Sequence, residues 1–180
     1  MKLKIVKDTN PIMRQKSQPV SLPLSAEDKA TLDEMLNYIK QSQDDDYAKK
    51  HNLRPGIGMA AIQIGILKRM FVIYYQREDE VIEYQLVNPK IIEYSFRKCA
   101  LKEGEGCLSV DGEHPGYAHR YYKIKMEAYD ALTNEDIVIT ARGFDAIVLQ
   151  HEYDHLDGKL FYDRIDPKKP SQVLMNEELI

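Results

Sequence analysis

Long apolar runs are missing from this 180-residue chain: the longest, Met70–Tyr75, has six residues, against the roughly 20 that a membrane-spanning helix needs. No membrane anchor is expected. The opening stretch MKLKIVKD interrupts its apolar residues with charge and lacks the apolar segment of a signal peptide, so a cytoplasmic location is expected. An excess of positive charge is also absent. Lys and Arg number 25 against 29 Asp and Glu, for a formal net charge of -4, so there is no general electrostatic case for a nucleic-acid partner. Cysteine is scarce, with only Cys99 and Cys107, which excludes a disulfide framework. A reducing cytosol argues against their pairing, leaving each as a small buried apolar side chain or a metal ligand. No internal repeat or low-complexity tract is present, and residues 1–180 suffice for one domain with a sizeable core.

What the chain does have is the stretch ARGFDAIVLQHEYDHLDG, residues 141–158, containing His151, Glu152 and His155 as HExxH. Residues four apart lie on one face of an α-helix, so both imidazoles can reach one metal ion. Glu152 sits about 100° round from His151, poorly placed as a ligand but within reach of a water on that ion. Phe144, Ile147, Val148, His151 and His155 follow helical spacing, while Ala146, Leu149, Tyr153 and Leu156 fill much of the remaining circumference. A helix apolar nearly all round is a buried one. Gly158 supplies a left-handed stop.

The rest of the chain reads as an α+β arrangement. Residues 1–24, with Pro11, Pro19 and Pro23, read as an extended arm. Ser25 opens a helix, with Asp28 three residues on as in a capping box. Leu32, Met35, Leu36 and Ile39 form its apolar stripe. Asp44–Asp46 lacks the alternating oxygen ligands and glycine of a calcium loop and reads as a solvated loop or frayed helix end. RPGIGMAAIQIG, residues 54–65, has neither the Lys-Ser/Thr of a P-loop nor the third glycine of a dinucleotide site. From this segment alone, Gln63 reads as a hydrogen-bonded core amide. Residues 70–76 and 81–87 predict a hairpin turning at 77–80; Asn88 and Pro89 end its second strand, and 91–98 give another. Residues 111–119 read as loop. Residues 123–129 place Ile124, Met126 and Ala128 on one face, and a turn at Thr133 and Asn134 leads to a strand at 137–139. Residues 160–162 suggest a short strand before a tail containing proline and lysine. The expected fold is antiparallel strands packed around a central buried helix that carries HExxH.

Two histidines do not complete a catalytic metal site, which usually has three protein ligands and an open position. A metzincin-like third histidine would stand at 161, which is Phe161. A gluzincin-like glutamate would have to come from Glu177 or Glu178, with no room for a supporting helix. His51, His114 and His119 fit better as loop or surface residues. Cys107, between Gly106 and Leu108 in a segment whose glycines permit close approach, is the stronger candidate, because a thiolate is a good ligand. Cys99, within an expected strand, reads as packing.

Three segments now resemble one family, peptide deformylase: GIGMAAIQ from Gly56 to Gln63, EGCLS from Glu105 to Ser109, and QHEYDH from Gln150 to His155. Their order and spacing are highly specific. DTNPIMR at 8–14, with Pro19 and Val20 after it, is similar to the family's opening, so the resemblance covers about residues 5 to 165. The long segment before Gly56 and the short tail resemble the longer class, common in Gram-positive bacteria and mycoplasmas.

The resemblance implies removal of the N-formyl group from the initiator methionine of new polypeptides, releasing formate. Cys107, His151 and His155 would hold one divalent ion, with water in the fourth position; Glu152 would move the water's proton to the leaving amine. It makes Gln63 and the backbone N–H of Leu108 the oxyanion donors, reversing the core-amide reading of Gln63. Gly56, Ile57 and Gly58 would pair with the peptide as an added strand, with Glu105 and Gly106 also on the substrate side. Phe144, Ile147 and Val148 would line the methionine pocket. Similar enzymes are ferrous in the cell, so Fe(2+) is the expected ion, with Zn(2+), Ni(2+) or Co(2+) as replacements; iron would leave the site sensitive to oxygen. The implied partners are N-formylmethionyl nascent peptides and, transiently, the ribosome, with no direct nucleic-acid or membrane contact. The rival readings are a small HExxH metallopeptidase and a non-catalytic metal-stabilised relative.

Overall fold

In a computed structural model describing residues 3–180, the apolar run of residues 70–75 lies in β2 (Met70–Arg77), a strand covered on both faces. Strand side chains alternate. Met70 and Val72 pack with Leu32, Met35, Leu36 and Ile39 of α1 (Ala26–Ser42), whereas Phe71, Ile73 and Tyr75 pack with Ala146, Val148 and Leu149 of α3 (Gly143–Leu156). The uninterrupted apolar run is therefore what a strand between two helices requires. Among the described residues, no helix is long and apolar enough to cross a membrane. The first two residues of the expected N-terminal arm and of the opening MKLKIVKD stretch lie outside the described residues.

The larger sheet has five antiparallel strands in the order β1 (Gly58–Ala60), β2, β3 (Glu80–Tyr94), β6 (Lys123–Asp130) and β7 (Glu135–Arg142). The smaller sheet joins β5 (Arg120–Tyr121), β4 (Lys98–Ala100) and β8 (Glu177–Leu179). Helix α3 touches both sheets, through Val148 and Leu149 on one side and Gln150 on the other, where the Gln150 amide exchanges two hydrogen bonds with the Tyr121 backbone. This gives the α+β fold with a central HExxH helix.

Four local expectations need correction. Asp44 neither frays nor sits in a loop: its side chain accepts from the Tyr47 N–H and caps α2 (Asp45–His51). Asn88 and Pro89 do not end a strand. β3 continues to Tyr94 through a register shift between Val87 and Lys90, with Asn88 at φ +51°; the Asn88 amide replaces the lost ladder by bonding Val20 N–H and C=O, each at 2.8 Å. Residues 161–164 form a 3-10 turn, its first amide held by Asp163, so 160–162 is not a strand. The N-terminal arm is not extended throughout, since Pro11–Arg14 form a 3-10 turn, and the tail ends in β8, which pairs in parallel with β4. At Ser25, half of the capping box is present: its hydroxyl accepts from Asp28 N–H, while the Asp28 carboxylate instead pairs with Lys68.

Candidate metal centre and its cavity

Helix α3 is buried over most of its circumference, so each polar side chain on it needs a partner. Gln150 is satisfied by Tyr121 and Ala146 O, and Asp154 by Arg120 and Arg164. Glu152 and His155 are the exceptions: Glu152 Oε2 and His155 Nδ1 are buried without a hydrogen-bond partner. The unsatisfied polar atoms of the helix thus fall within HExxH.

The loop after β4 brings in Cys107. One ligand atom each from Cys107, His151 and His155 lies within 4.8 Å of the others, the one set of three such side chains among the described residues. Cys107 Sγ stands 3.4 Å from His155 Nε2. A tetrahedral ion with bonds of about 2.0–2.3 Å spaces its donors roughly 3.5 Å apart, so the set fits one ion with little rearrangement. Burial alone would raise the Cys107 thiol, but His155 and His151 beside it outweigh burial and hold it well below the usual thiol range, as a thiolate. The donor chemistry of two imidazoles and one thiolate suits a borderline divalent metal. His51, His114 and His119 stand outside the set: His114 stacks on Tyr162, His119 pairs with Glu177 at 2.6 Å, and His51 lies in α2.

His151 is braced from behind. Its Nδ1 is 2.8 Å from Glu105 Oε2, and the same carboxylate takes two hydrogen bonds from Arg120, at 2.5 and 2.9 Å. Arg120 also reaches Asp154 at 3.0 Å, and Asp154 takes two more from Arg164. Burial favours the neutral form of Glu105, yet Arg120 and then His151 hold its pKa down at about 2. This buried charge chain orients one imidazole, the usual job of a carboxylate behind a metal-bound histidine. Glu105 borders the cavity, but both its carboxylate oxygens are taken, so its side chain serves His151 and Arg120. Arg120 and Asp154 were not singled out from the sequence. An arginine in a two-residue strand carries no local sign of being 2% exposed.

Glu152 has the opposite environment. It is 4% exposed, and burial raises its pKa above the ordinary carboxylate value. Gly58 explains how it fits, since a Cβ there would stand 2.4 Å from Glu152 Oε1. Gly56 likewise gives room to Leu108, whose side chain lies 3.0–3.2 Å from where a Cβ would be.

Gln63, 1% exposed, is fixed at both ends: Oε1 accepts from Ala60 N–H at 2.8 Å, and Nε2 donates to Ser109 Oγ at 3.1 Å while lying 3.5 Å from Cys107 Sγ. Ser109 lay in the EGCLS stretch, but its hold on Gln63 needed the fold. These groups open onto a cavity of about 540 Å³. Its wall contains every expected substrate-side residue: Gly56, Ile57, Gly58, Glu105, Gly106, Phe144, Ile147 and Val148, beside Cys107, Leu108, His151, Glu152 and Gln63. Along one side runs β1, the edge of the larger sheet.

Comparison with known proteins agrees with this geometry. The family model described as polypeptide deformylase matches residues 2–171. The chain is 47% identical over 170 residues to peptide deformylase 2 of Geobacillus stearothermophilus, covering 94% of this chain and 92% of that one. To peptide deformylase 2 of Bacillus subtilis it is 45% identical over 167 residues, covering 92% and 90%. Among solved structures, peptide deformylase 1B of Arabidopsis thaliana, crystallised with an inhibitor, superposes with a TM-score of 0.74 at 32% identity over 92% of this chain and 82% of that one. With a matching family model across most of its length and the Cys-His-His cluster at the cavity, this chain belongs to the polypeptide deformylase family.

Proposed function

We propose that the chain hydrolyses the N-formyl group from the N-terminal formyl-methionine of newly made polypeptides, releasing formate, with Cys107, His151 and His155 as ligands of one divalent ion. The observation that carries this reading is a buried carboxylate oxygen with no partner, Glu152 Oε2, beside a Cys-His-His cluster at the end of a largely apolar cavity. When bound, the ion supplies a Lewis acid that makes water acidic near neutral pH and polarises the formyl carbonyl.

The remaining roles fall to side chains and backbone. Glu152 takes the proton of the attacking water and delivers it to the departing amine; its burial suits it to hold a proton between the two steps. One Gln63 N–H is held by Ser109, which leaves the other facing the thiolate side, where an oxyanion develops. The Leu108 N–H is the second donor. Peptide substrate adds as a strand beside Gly56, Ile57 and Gly58 at the free edge of β1. The methionine side chain enters between Phe144, Ile147 and Val148. Glu105 and Gly106 border the peptide through their backbone.

Fe(2+) is the proposed native ion, with Zn(2+), Ni(2+) or Co(2+) able to replace it. Residues 1–180 act as one domain, in the cytoplasm, on nascent peptides near the ribosome. The segment ahead of Gly56, which forms α2, supports placement in the longer class. A formate-release assay on anaerobically purified protein, with metal analysis of the same sample, tests the proposal. Formate from formyl-Met-Ala-Ser at one ion per chain is expected. Internal cleavage of unformylated peptide without formate would replace it with a metallopeptidase.

A further inference from the structure

Behind the substrate cavity lies a second one, of about 260 Å³. It lies between β2, β3, β7 and the first turns of α3, partly open to solvent, with Ile73, Ile82, Ile139 and Leu149 in its wall beside the polar Arg77, Glu80, Thr140 and Asp145. Two residues are common to both walls, Tyr75 and Val148. Tyr75 is 6% exposed, and its ring meets Phe144 edge-on at 5.5 Å between centroids. Phe144 and Val148 line the proposed methionine pocket, so the Tyr75 ring stands where that pocket would otherwise run on into the space behind.

The ring is also tied down. Its hydroxyl donates to Asp145 Oδ1 at 2.6 Å, and Arg77 Nη1 donates to both oxygens of Asp145 at 2.8 Å. Arg77 is in turn held by Glu80 at 3.1 Å. Asp145 sits in the first turn of α3, where the helix dipole favours an acid. A buried tyrosine hydroxyl needs an acceptor, and here the acceptor is a carboxylate itself held by an arginine from another element, so the ring has one fixed orientation.

The geometry points to Tyr75 as a specificity-determining residue that closes the far end of the substrate side-chain pocket, with Asp145 and Arg77 as the residues that hold it closed. The inference rests on the deformylase reading of the cavity, and it adds a length limit: methionine-sized side chains fit, whereas longer unbranched chains meet the tyrosine. Removing the ring opens a passage toward the second cavity, where the Ile73, Ile82, Ile139 and Leu149 side chains of its mixed wall would contact extra methylenes.

The test compares formyl peptides whose first residue is methionine or 2-aminooctanoic acid, a longer unbranched chain. Formate release is measured on the metal-loaded wild type and on Tyr75→Ala. Calorimetric binding of the same two peptides without the formyl group is measured in parallel. Tyr75→Ala is expected to raise the preference for the long chain over methionine by about tenfold or more, the worth of burying roughly two methylenes. The change should fall on KM and on binding, with kcat little altered. Asp145→Ala should shift the ratio in the same direction by less, and Asp145→Asn, which keeps an acceptor for the hydroxyl, should lie nearer the wild type. If Tyr75→Ala does not fold, Tyr75→Leu is read the same way. A folded variant that keeps the wild-type ratio in both readouts overturns the proposal. Absence of formate from every peptide would sink the deformylase reading, while the binding ratios would still decide whether Tyr75 sets the length limit.

Discussion

Cys99 and Cys107 are eight residues apart and both buried, yet the structure gives them opposite chemistry. Burial pushes the Cys99 thiol up to about 12 against the opposing pull of Arg120, whose hydrogen bonds go to Glu105 and Asp154. Cys107 is buried as well, but two imidazoles, His155 and His151, face its sulfur, and it is held well below the usual range. Burial alone therefore does not decide whether a cysteine is inert. What decides it is whether donors reach the sulfur itself, as His155 Nε2 does at 3.4 Å from Cys107 Sγ. The Glu105–Arg120 pair touches both sides: Arg120 stands opposite Cys99 in the β4–β5 ladder, and Glu105 braces His151 beside Cys107.

The sharpest way to break this contrast is Cys107→Ser, which should take metal content from one ion per chain to near zero and abolish formate release; retention of a tightly bound ion would reassign the ligands. Next in size is Glu152→Ala, which leaves the Cys-His-His set intact. Metal analysis should read as in the wild type while turnover falls by about 10²–10⁴. Gln63→Ala should cost about 10²–10³ in kcat with the ion retained. Glu105→Gln tests the shared brace. It should weaken metal affinity roughly 10–100-fold in a chelator competition, since Nδ1 of His151 loses its carboxylate. The smallest effect belongs to Cys99→Ala: metal unchanged, activity within about twofold, and stability lower by about 1 kcal/mol from the lost buried sulfur. Loss of metal in that variant would mean the two cysteines have been assigned the wrong way round.

Sequence reasoning reached the part of this contrast that is local. Four-residue spacing put His151 and His155 on one face of a helix, and the glycines around Cys107 marked a segment able to approach it. The apolar circumference of residues 144–156 announced burial before any contact was known. Arg120 and Asp154 could not be read the same way, because their meaning lies in pairings with Glu105 and Arg164 across separate elements. The parallel β4–β8 pairing was hidden for a related reason: Glu177, Glu178 and Leu179 look like a polar tail, and only the His119–Glu177 and Arg97–Glu178 pairs explain their docking. Asn88 and Pro89 misled because a proline without an N–H ordinarily ends a ladder, whereas here the Asn88 side chain supplies the missing bonds to Val20. Gln63 stood between the two cases. As a buried amide it is well satisfied at Oε1, and its place beside Ser109 and Cys107 becomes visible only in the fold.

The most direct test of the metal centre is the absorption spectrum of the protein loaded with Co(2+) under anaerobic conditions. One cobalt per chain should give an intense sulfur-to-metal charge-transfer band that persists in Cys99→Ser and vanishes in Cys107→Ser. A band that survives loss of Cys107, or disappears with loss of Cys99, would contradict the account.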